Sequence, residues 1–343
     1  MIKSNILKES ETGLQALRKL DQVVNNHTLF VISDNEQLIG TITDGDMRRG
    51  LINGLSLEDS VVRFCNKDYV YLENDINVYT VKKYRKKGVK ILPRLDAQRK
   101  IIKVYNLEVL KSLLPIHAVL MAGGRGERLR PLTDDIPKPL LPLGEMSIIE
   151  RNIERLVNYG IETITISVRY LKEKIKEKIG DGSKWNIEIS YFEEDKPLGT
   201  IGCLSQIADF ITDNILLMNS DLLTNINFED FYIEFSESKA DMCVASIPYS
   251  VNIPYAILDL EDKRVVSFKE KPKNTYYANA GIYLIKKDVL KDIPKGEFYN
   301  ATDLMEVVMK RNKLIHSPIA GLWIDIGKLD DYKKAQELVK HIY

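Results

Sequence analysis

The alternation of strand-like and helix-like segments after residue 115 constrains the fold of this chain more than any other feature. Residues 117–123 (HAVLMAG) and 162–168 (ETITISV) have the apolar composition of buried strands, and residues 147–160 (SIIERNIERLVNYG) have the spacing of an amphipathic helix. Residues 214–221 (NILLMNSD) add a strand that ends in a carboxylate. The pattern predicts an α/β fold with a mostly parallel, doubly wound sheet, whose ligands bind at the carboxyl ends of the strands.

The first 114 residues follow a different pattern, in which one segment is similar to another further along the chain. The residues from His27 to Gly50 predict strand, turn, strand and helix after an amphipathic helix, and residues 78–110 repeat the whole pattern. A gapless alignment has an offset of 60 (91 − 31) and pairs Val31 with Ile91 and Ile32 with Leu92. Because neither copy can bury its sheet alone, we expect the two to pack as one smaller α+β unit.

The chain therefore divides near Leu114 into predicted domains 1–114 and 116–343. Lys and Arg balance Asp and Glu at 49 each, so the composition does not favour a nucleic acid or an anionic membrane as partner. The basic run at residues 82–90 lies on an amphipathic helix and is interpreted as a solvated surface. Three separated cysteines argue against a zinc site or disulfide framework. With a polar N-terminus and no apolar run of ~20 residues, we expect a soluble, cytoplasmic protein.

Residues 120–144 (LMAGGRGERLRPLTDDIPKPLLPLG) combine a glycine-rich turn with a concentration of cations. Glycines directly after a strand let a polyphosphate approach backbone N–H groups, and nearby Arg and Lys side chains suit a triphosphate. The cations are Arg125, Arg128, Arg130 and Lys138. Neither the GxxxxGK[ST] pattern nor GxGxxG is present, since Leu129 stands where the third glycine would be. A glycine turn alone also suits a plain tight turn with surface arginines.

The full 25-residue segment resembles the signature of the sugar-phosphate nucleotidyltransferases, which include glucose-1-phosphate thymidylyl- and uridylyltransferases and mannose-1-phosphate guanylyltransferases. Further motifs of that family follow in its order: EEDKPLGTIG (193–202), NSDLLT (219–224), FKEKP (268–272), NAGIYLI (279–285) and WIDIGKLDDY (323–332). The PLGT form is common in the guanylyltransferase branch, whereas Ser220 replaces a usual glycine. The resemblance covers residues 116–343 and implies a Rossmann-like nucleotidyltransferase fold.

The resemblance implies a role for individual residues. The catalytic group would be Arg128 and Lys138 on the NTP phosphates, Lys271 on the sugar phosphate, and Asp221 and Asp325 on Mg²⁺. Nucleotide contacts would come from Leu120, Ala122, Gly123, Gly124, Gly126, Gly199 and Thr200, and sugar contacts from Glu270, Asn279 and Gly281. The family's Pro-Tyr-Gly loop is here Pro254-Tyr255-Ala256, which leaves the hexose open.

Each of the charged residues also has a purely structural interpretation. Asp221 could cap a loop, Asp325 could pair with Lys328, and Lys271 could be a surface lysine.

The reaction itself needs no general base, because a sugar 1-phosphate with a second pKa near ~6 is largely ionised at neutral pH. It needs charge neutralisation and in-line alignment, which two carboxylates holding Mg²⁺ and three cations would provide.

In the first domain, GTITDGDMRRG (residues 40–50) resembles a CBS motif, in which a Thr and an Asp three residues later bind a nucleotide. Here these residues are Thr43 and Asp46, while the gapless alignment places Lys103 and Asn106 in the second copy. We expect at most one nucleotide site in the pair, or a dimerising module without ligand. No hexapeptide repeats follow the last motif, so a second acetyltransferase activity is not expected.

The favoured reaction joins GTP and a hexose 1-phosphate, glucosamine 1-phosphate or mannose 1-phosphate, as in CBS-bearing guanylyltransferases of bacterial surface-sugar pathways, among them the legionaminic acid pathway. UTP or dTTP with glucose 1-phosphate remain alternatives. A non-catalytic nucleotide-sugar sensor and a choline- or glycerol-phosphate cytidylyltransferase are alternatives of other classes. We also expect the chain to form a homo-oligomer.

Overall fold

The computed structural model describes residues 5–22, 28–73, 77–207 and 210–342, so the predicted strand start at His27 lies outside the described residues. The chain forms two compact units, Met1–Leu114 and Pro115–Tyr343. The first unit contains β1 (Ile6–Lys8), α1 (Gly13–Gln22), β2 (Thr28–Ile32), β3 (Leu38–Thr43), α2 (Asp44–Ile52), α3 (Val78–Lys86), β4 (Ile91–Leu95) and β5 (Ile101–Asn106).

The strand pairing of the first unit corrects the predicted alignment of its two copies. In the first copy the β2–β3 ladder begins with Thr28 opposite Thr43, and in the second the β4–β5 ladder begins with Ile91 opposite Asn106. These equivalent residues are 63 positions apart (91 − 28 and 106 − 43) rather than 60. The predicted offset of 60 was therefore wrong, although the two copies align without a gap at 63, and Asn106 is the structural counterpart of Thr43.

The turns between the strands explain this register. Each hairpin turns through one residue with a left-handed backbone, Glu36 with φ of 63° and Arg99 with φ of 62°. Apolar composition locates a strand but does not show which residue occupies the turn. At the offset of 63, the counterpart of Asp46 is Val109, an apolar residue (46 + 63).

The second copy also lacks the helix predicted after its second strand. Residues 107–109 form a turn, in which the Asn106 side-chain oxygen accepts a hydrogen bond from the Glu108 N–H (2.9 Å). The first copy continues at the same point into α2. The resemblance between the copies therefore covers the preceding helix and the strand pair only.

The second unit begins with a strand and a glycine-rich turn and then alternates strands with helices. Its elements are β6 (Ile116–Ala122), β7 (Pro142–Leu143), β8 (Met146–Ser147), α4 (Ile148–Asn158), β9 (Thr163–Val168), α5 (Lys172–Ile179), β10 (Glu188–Glu193), β11 (Asn214–Asn219), β12 (Leu222–Thr224), α6 (Phe228–Ser238), β13 (Met242–Asn252), β14 (Ile257–Glu261), β15 (Arg264–Lys269), β16 (Lys273–Lys286), α7 (Ala301–Lys310), β17 (Leu314–Pro318), β18 (Trp323–Asp325) and α8 (Leu329–Ile342).

Seven strands form the central sheet in the order β10-β9-β6-β11-β16-β13-β17. The first four are mutually parallel, β16 is antiparallel to both of its neighbours, and β17 is parallel to β13. Strands β6 and β11 are buried along nearly their whole length, as expected for strands covered on both faces. The predicted α/β fold with a mostly parallel sheet is confirmed.

Two strands of this sheet continue beyond it as a ribbon. Past Ser246, which pairs with Asn279, β13 and β16 pair only with each other as far as Asn252 and Lys273, and the chain between them forms the β14–β15 hairpin. We call residues 247–278 the arm. Nearly all of its residues are exposed, and no other described strand pairs with its outer edges.

Within the described residues, the helices are all too short or too polar to cross a lipid bilayer.

Candidate active site

The carboxyl ends of β6 and β11 place two of the predicted motifs side by side. The strands pair in parallel with Met121 opposite Asn219, so the glycine turn and Asp221 leave the sheet at the same edge. Ser220, where the family has glycine, is buried and donates its hydroxyl to the Met121 carbonyl oxygen (2.6 Å). The side chain of Asn152 on α4 donates to the Ser220 carbonyl oxygen (3.0 Å). The serine therefore ties the two strand ends together.

A second, two-stranded sheet brings Asp325 to the same place. Strand β12 pairs antiparallel with β18, with Leu222 opposite Asp325, and the Ile326 N–H donates to the Asp221 carbonyl oxygen (3.1 Å). Residues that are 104 positions apart (325 − 221) thus become neighbours through backbone hydrogen bonds alone. The two predicted carboxylates converge.

Two cations complete what we call the four-residue cluster: Arg128, Lys138, Asp221 and Asp325. The Lys138 ammonium, on a side chain only 11% exposed, pairs with Asp221 Oδ2 and lies 4.0 Å from Asp325 Oδ1. The Arg128 guanidinium lies on the Asp325 side of the cluster: a β-carbon added at Gly327 would lie 3.3 Å from Arg128 Nη2 and 3.5 Å from Asp325 Oδ2. Asp325 thus pairs with a lysine of the predicted phosphate-binding set.

The two carboxylates and the two cations of the cluster balance in formal charge, but burial makes the ionised form of Asp325 unfavourable. Burial raises the pKa of Asp325, the Asp221 carboxylate raises it further, and Lys138 and Arg128 oppose the shift. Asp221 Oδ1 is buried and accepts no hydrogen bond from any described residue. A buried carboxylate oxygen without a partner is costly, and a bound cation would satisfy it.

These residues fit a magnesium ion. Mg²⁺ takes oxygen ligands, commonly one or two carboxylates, and completes its shell with water and substrate phosphate. Asp221 and Asp325 supply such a pair, and the described residues include no cluster of three or more His, Cys, Asp or Glu that would enclose a metal fully. The arrangement suits a metal shared with a phosphate substrate.

The glycine turn lies open beside the cluster. A β-carbon added at Gly124 would have no neighbouring atom within 4 Å, and Gly123 is half-buried, whereas Gly126 packs against Lys138 and Thr133. The side chains of Leu120 and Ala122 are buried in the core, and the backbone of Leu120 is paired with strands on both sides. Among the predicted nucleotide-binding residues of β6 and the turn after it, the exposed part is therefore the turn.

The PLGT loop is held by the segment that precedes α7. Gly199 has a left-handed backbone (φ 78°), and a β-carbon there would lie 2.5 Å from the Tyr299 carbonyl oxygen, so only glycine fits. The Thr200 hydroxyl accepts from the Ala301 N–H at the first turn of α7 (2.7 Å). Both residues have a clear structural role, in which they shape the loop whether or not they contact a nucleotide.

The structure draws attention to Glu194, a residue of the EEDKPLGTIG motif to which the sequence assigned no role. Its buried carboxylate accepts from the Ser167 hydroxyl (2.6 Å) and from the Leu198 N–H (3.3 Å). Oε1 of Glu194 would lie 3.5 Å from a β-carbon added at Gly123. The signal available in the sequence was a glutamate directly after a strand and before PLGT.

The predicted sugar contacts fall into two groups. Asn279 and Gly281 lie on β16, next to β11, which is the strand that leads to Asp221. The Asn279 side-chain oxygen accepts from the Gly281 N–H (2.9 Å), and a β-carbon at Gly281 would lie 2.6 Å from Asn219 Nδ2. Glu270 and Lys271 lie on the arm and are exposed, and none of the contacts seen among described residues joins them to the four-residue cluster. The structure does not bring these two together with the carboxylates.

In the first unit, Thr43 and Asp46 interact with each other. They form a capping box at the start of α2, in which the Thr43 N–H and hydroxyl donate to Asp46 Oδ2 (2.8 and 2.6 Å) and the Asp46 N–H donates to Thr43 Oγ1. Arg49 also pairs with Asp46. The Thr-x-x-Asp spacing thus has a local structural reason.

Comparisons with known proteins agree with this geometry. A protein from Oryza sativa assigned as a mannose-1-phosphate guanylyltransferase is 32% identical over 225 residues, which are 63% of this chain and 62% of the relative. The D-glycero-alpha-D-manno-heptose 1-phosphate guanylyltransferase of Campylobacter jejuni is 30% identical over 63% of this chain and 97% of its own length. The chain thus spans about three fifths of the longer relative.

A solved structure shares the fold of the second unit. It is a Bacillus anthracis protein in complex with sucrose, assigned as a glucose-1-phosphate thymidylyltransferase, with a TM-score of 0.56 and 25% identity over 66% of this chain and 96% of that chain. Residues 117–341 match the family model described as nucleotidyl transferase, which covers more than half of the chain. The relatives differ in the base they are named for, but the matched residues include the glycine turn and the strand ends that form the candidate site. This chain therefore belongs to the nucleotidyl transferase family.

Proposed function

We propose that the chain is a sugar-1-phosphate guanylyltransferase, which joins GTP and a hexose 1-phosphate into a GDP-sugar and releases pyrophosphate. The observation that carries the proposal is the four-residue cluster, in which two carboxylates and two cations meet beside an open glycine turn. The proposed reaction requires neither a nucleophilic side chain nor a general base, because the sugar phosphate is itself the ionised nucleophile. The arrangement neutralises and orients phosphates, which is what phosphoryl-group transfer requires of a protein.

In the proposed reaction, an oxygen of the sugar phosphate attacks the α-phosphorus of GTP, the bond to the β-phosphate oxygen breaks, and pyrophosphate leaves with the electron pair. Arg128 and Lys138 bind the triphosphate oxygens and stabilise the charge that develops on the leaving group. Backbone N–H groups of the turn at residues 123–126 support the same phosphates. His117 takes no part as a base, because burial lowers its pKa to about 4 and its ring bonds to Thr165 (2.8 Å).

Asp221 and Asp325 would hold Mg²⁺, and the ion, when bound, supplies positive charge to the phosphate oxygens. The partnerless Asp221 Oδ1 supports this assignment. Binding would also change the pairing of Lys138: this ammonium now bonds to Asp221 and would be released to reach a phosphate. The cluster is therefore arranged to exchange one cation for another when the nucleotide enters.

The choice of GTP rests on the PLGT resemblance and gains support from Glu194. Guanine presents two adjacent donors, N1–H and the N2 amino group, whereas uracil and thymine present one N–H between two carbonyl acceptors. A carboxylate accepts only, so Glu194 beside Gly123 favours guanine and repels the carbonyl groups of the other two bases. The Ser167 and Leu198 hydrogen bonds hold the carboxylate in a fixed orientation.

The identity of the hexose is proposed on the resemblance alone, with glucosamine 1-phosphate and mannose 1-phosphate favoured. Ala256, in place of the family's glycine, and the exposed Glu270 and Lys271 are the residues that bear on this choice.

In the first unit we retain a nucleotide site at Thr43 and Asp46 as a hypothesis. A nucleotide at this site would have to replace the hydrogen bonds of the capping box. Equilibrium dialysis with ATP and GTP, on wild-type and Asp46→Ala chains, would test whether a nucleotide binds there.

The direct test is pyrophosphate release with Mg²⁺, crossing GTP, UTP, dTTP, CTP and ATP against mannose, glucose, glucosamine and N-acetylglucosamine 1-phosphates. We expect turnover with GTP and one of the favoured hexoses. Turnover only with UTP or dTTP would contradict the guanine assignment and leave the reaction class intact. Silence across the grid with nucleotide binding retained would indicate a sensor instead, and turnover with CTP and choline phosphate would indicate a cytidylyltransferase.

A single variant tests the role of Glu194 in base choice. Glu194→Gln keeps the size of the side chain and replaces one acceptor by a donor, so we expect the ratio of kcat/KM for GTP to that for UTP to fall by ~10-fold or more. Glu193→Gln is the matched control, since the Glu193 side chain is engaged by Lys172 and Lys176. An unchanged ratio in Glu194→Gln would remove this residue from the base pocket.

A further inference from the structure

The hairpin at the tip of the arm is amphipathic, with its apolar side facing outward. Cross-strand partners of an antiparallel pair share a face, and Leu258 lies opposite Phe268, while Leu260 lies opposite Val265. Val266 is the extra residue where the register shifts. We call Leu258, Leu260, Val265, Val266 and Phe268 the apolar hairpin face. Each of these side chains is 53–67% exposed.

The opposite face of the hairpin is polar. There Asp259 lies opposite Ser267 and accepts its hydroxyl hydrogen bond (2.6 Å), and Glu261 lies opposite Arg264. A period-2 pattern of this kind is typical of a sheet with one buried and one solvated face. The chain therefore has the pattern of a covered hairpin, although no described residue covers it.

An uncovered hairpin of this kind is not stable by itself. A two-stranded hairpin is marginal in water without a third strand or a packing partner. Five large apolar side chains on one small face also form a continuous patch of the kind that marks an interaction site. Other exposed large apolar side chains, such as Ile52, Ile211 and Met309, belong to separate elements, while the base of the arm adds the exposed cross-strand pair of Tyr249 and Tyr276.

We propose that the apolar hairpin face packs against the same face of a second copy of this chain. A two-fold axis brings the same face of each copy together, so the apolar side chains of both copies are covered at once. At about 100 Å² for each half-exposed side chain, the face offers about 500 Å² per copy, and two copies together reach the ~1,000 Å² expected of a specific interface.

Charge does not oppose this pairing. The strands of the hairpin carry two acidic residues, Asp259 and Glu261, and two basic residues, Arg264 and Lys269, so each copy brings no net charge from its strands to the contact. All four lie on the polar face and stay in water when the apolar faces meet. An acidic or basic partner would find no complementary charge on the apolar hairpin face, which favours a second copy over a nucleic acid or a charged protein.

The pairing is tested by the mass of the full chain in sedimentation velocity over a wide dilution series. We expect the wild type to have the mass of two chains, and Leu260→Lys to have that of one. Glu261→Lys is the matched control, because the neighbouring residue lies on the polar face and the substitution changes the charge by more; it should keep the mass of two chains. Thermal melting of each variant checks that the fold survives.

Three outcomes would overturn the proposal: a wild type with the mass of one chain throughout, a Leu260→Lys chain that stays paired, or a Glu261→Lys chain that separates as well. If Leu260→Lys does not fold, a bismaleimide cross-linker is applied to Val265→Cys and Glu261→Cys chains, and only the first should link two chains. Amide hydrogen exchange gives a further check. Slow exchange at residues 257–269 in a single-chain species would mean that the same chain covers the face.

Discussion

The two regions that carry the proposed substrate contacts are built in opposite ways. The four-residue cluster lies at the edge of the central sheet, where Lys138 is buried, Asp221 follows a core strand and Asp325 is tied down by strand pairing. Glu270 and Lys271 lie on the arm, exposed and held only by the arm's own hydrogen bonds. The fold thus fixes the groups that are proposed to act on the triphosphate and leaves those assigned to the sugar on a projecting element.

This difference separates stability from activity in a way that mutations can measure. Substitutions in the cluster change a site whose charges are partly desolvated, so their effects on rate are large. Substitutions at the exposed Glu270 and Lys271 change little packing, so we expect them to affect the proposed substrate contacts without altering the free energy of unfolding. Four predictions test this contrast.

The largest effect is expected for the two carboxylates. Asp221→Asn and Asp325→Asn should each lower kcat by ~100-fold or more while the fold survives, because electrostatic stabilisation of this kind contributes ~3–4 kcal/mol. Steady-state pyrophosphate release at limiting Mg²⁺ measures the effect, with the exposed Asp330→Asn as control. Near-normal rates in both variants would rule out the pair as metal ligands.

The arm should respond in the Michaelis constant rather than in stability. Lys271→Ala is expected to lower kcat/KM for the sugar phosphate by ~10- to 100-fold, the range of a charge-assisted hydrogen bond to phosphate, and to leave the melting temperature unchanged. Lys269→Ala, two residues earlier on the same exposed ribbon, is the control. Equal losses in both variants, or none, would show that Lys271 does not reach the sugar phosphate.

Glu150, the buried third residue of α4, tests how much a charged group in the core contributes to stability. Burial alone would raise its pKa, but hydrogen bonds from Lys184, the Ser147 N–H and the Ser147 hydroxyl lower the pKa to about 2. Because this value lies below the unfolded value of ~4.3, the stabilisation is complete above that pH and is lost as the pH falls towards 2. Allowing for screening at the 58% exposed Lys184, Glu150→Gln should cost ~2 kcal/mol at neutral pH.

Urea unfolding of wild type and Glu150→Gln at several pH values measures this difference, which should shrink towards zero near pH 2. Lys184→Met should cost at least as much as Glu150→Gln, because it leaves the buried carboxylate without its cation, whereas the exposed lysine left by Glu150→Gln is solvated. If the difference in unfolding free energy between wild type and Glu150→Gln were constant with pH, the ionised form of Glu150 would not be what stabilises the fold.

The smallest effect concerns Ser220, the departure from the family's glycine. Ser220→Gly removes the hydroxyl that bonds to the Met121 carbonyl oxygen, and should cost ~1 kcal/mol of unfolding free energy with kcat nearly unchanged. Thermal melting and pyrophosphate release measure the two parts. A large loss of rate would show that the serine orients Asp221 rather than only joining the strand ends.

Much of the second unit could be predicted from the sequence. Apolar runs bounded by glycines and carboxylates located β6, β9 and β11, and their alternation with helices predicted the parallel sheet that is observed. The convergence of Asp221 and Asp325 was available only through the family resemblance. The β12–β18 pairing that produces it joins two three-residue strands about a hundred residues apart, and no local pattern records such a contact.

Other features depend on register and packing, which composition does not record. The offset of 63 in the first unit follows from the left-handed turn residues Glu36 and Arg99, which an alignment of apolar residues could not detect. The role of Glu194 depends on neighbours from two other segments, Ser167 and Leu198. The exposure of Lys271 follows from the length of the β13–β16 ladder, whereas the motif around it predicted a residue inside a pocket.

The pairing of β12 with β18 also bears on how the chain acquires its function during synthesis. A ribosome that has translated the strand ends around residue 221 has made one of the two proposed metal ligands only, and the other emerges about a hundred residues later. Closing that contact requires most of the second unit to be folded first, because non-local pairings form late. If the proposed metal pair is correct, nascent or truncated chains that lack residue 325 would therefore bind nucleotide weakly and transfer nothing, so incomplete products would not consume nucleotide.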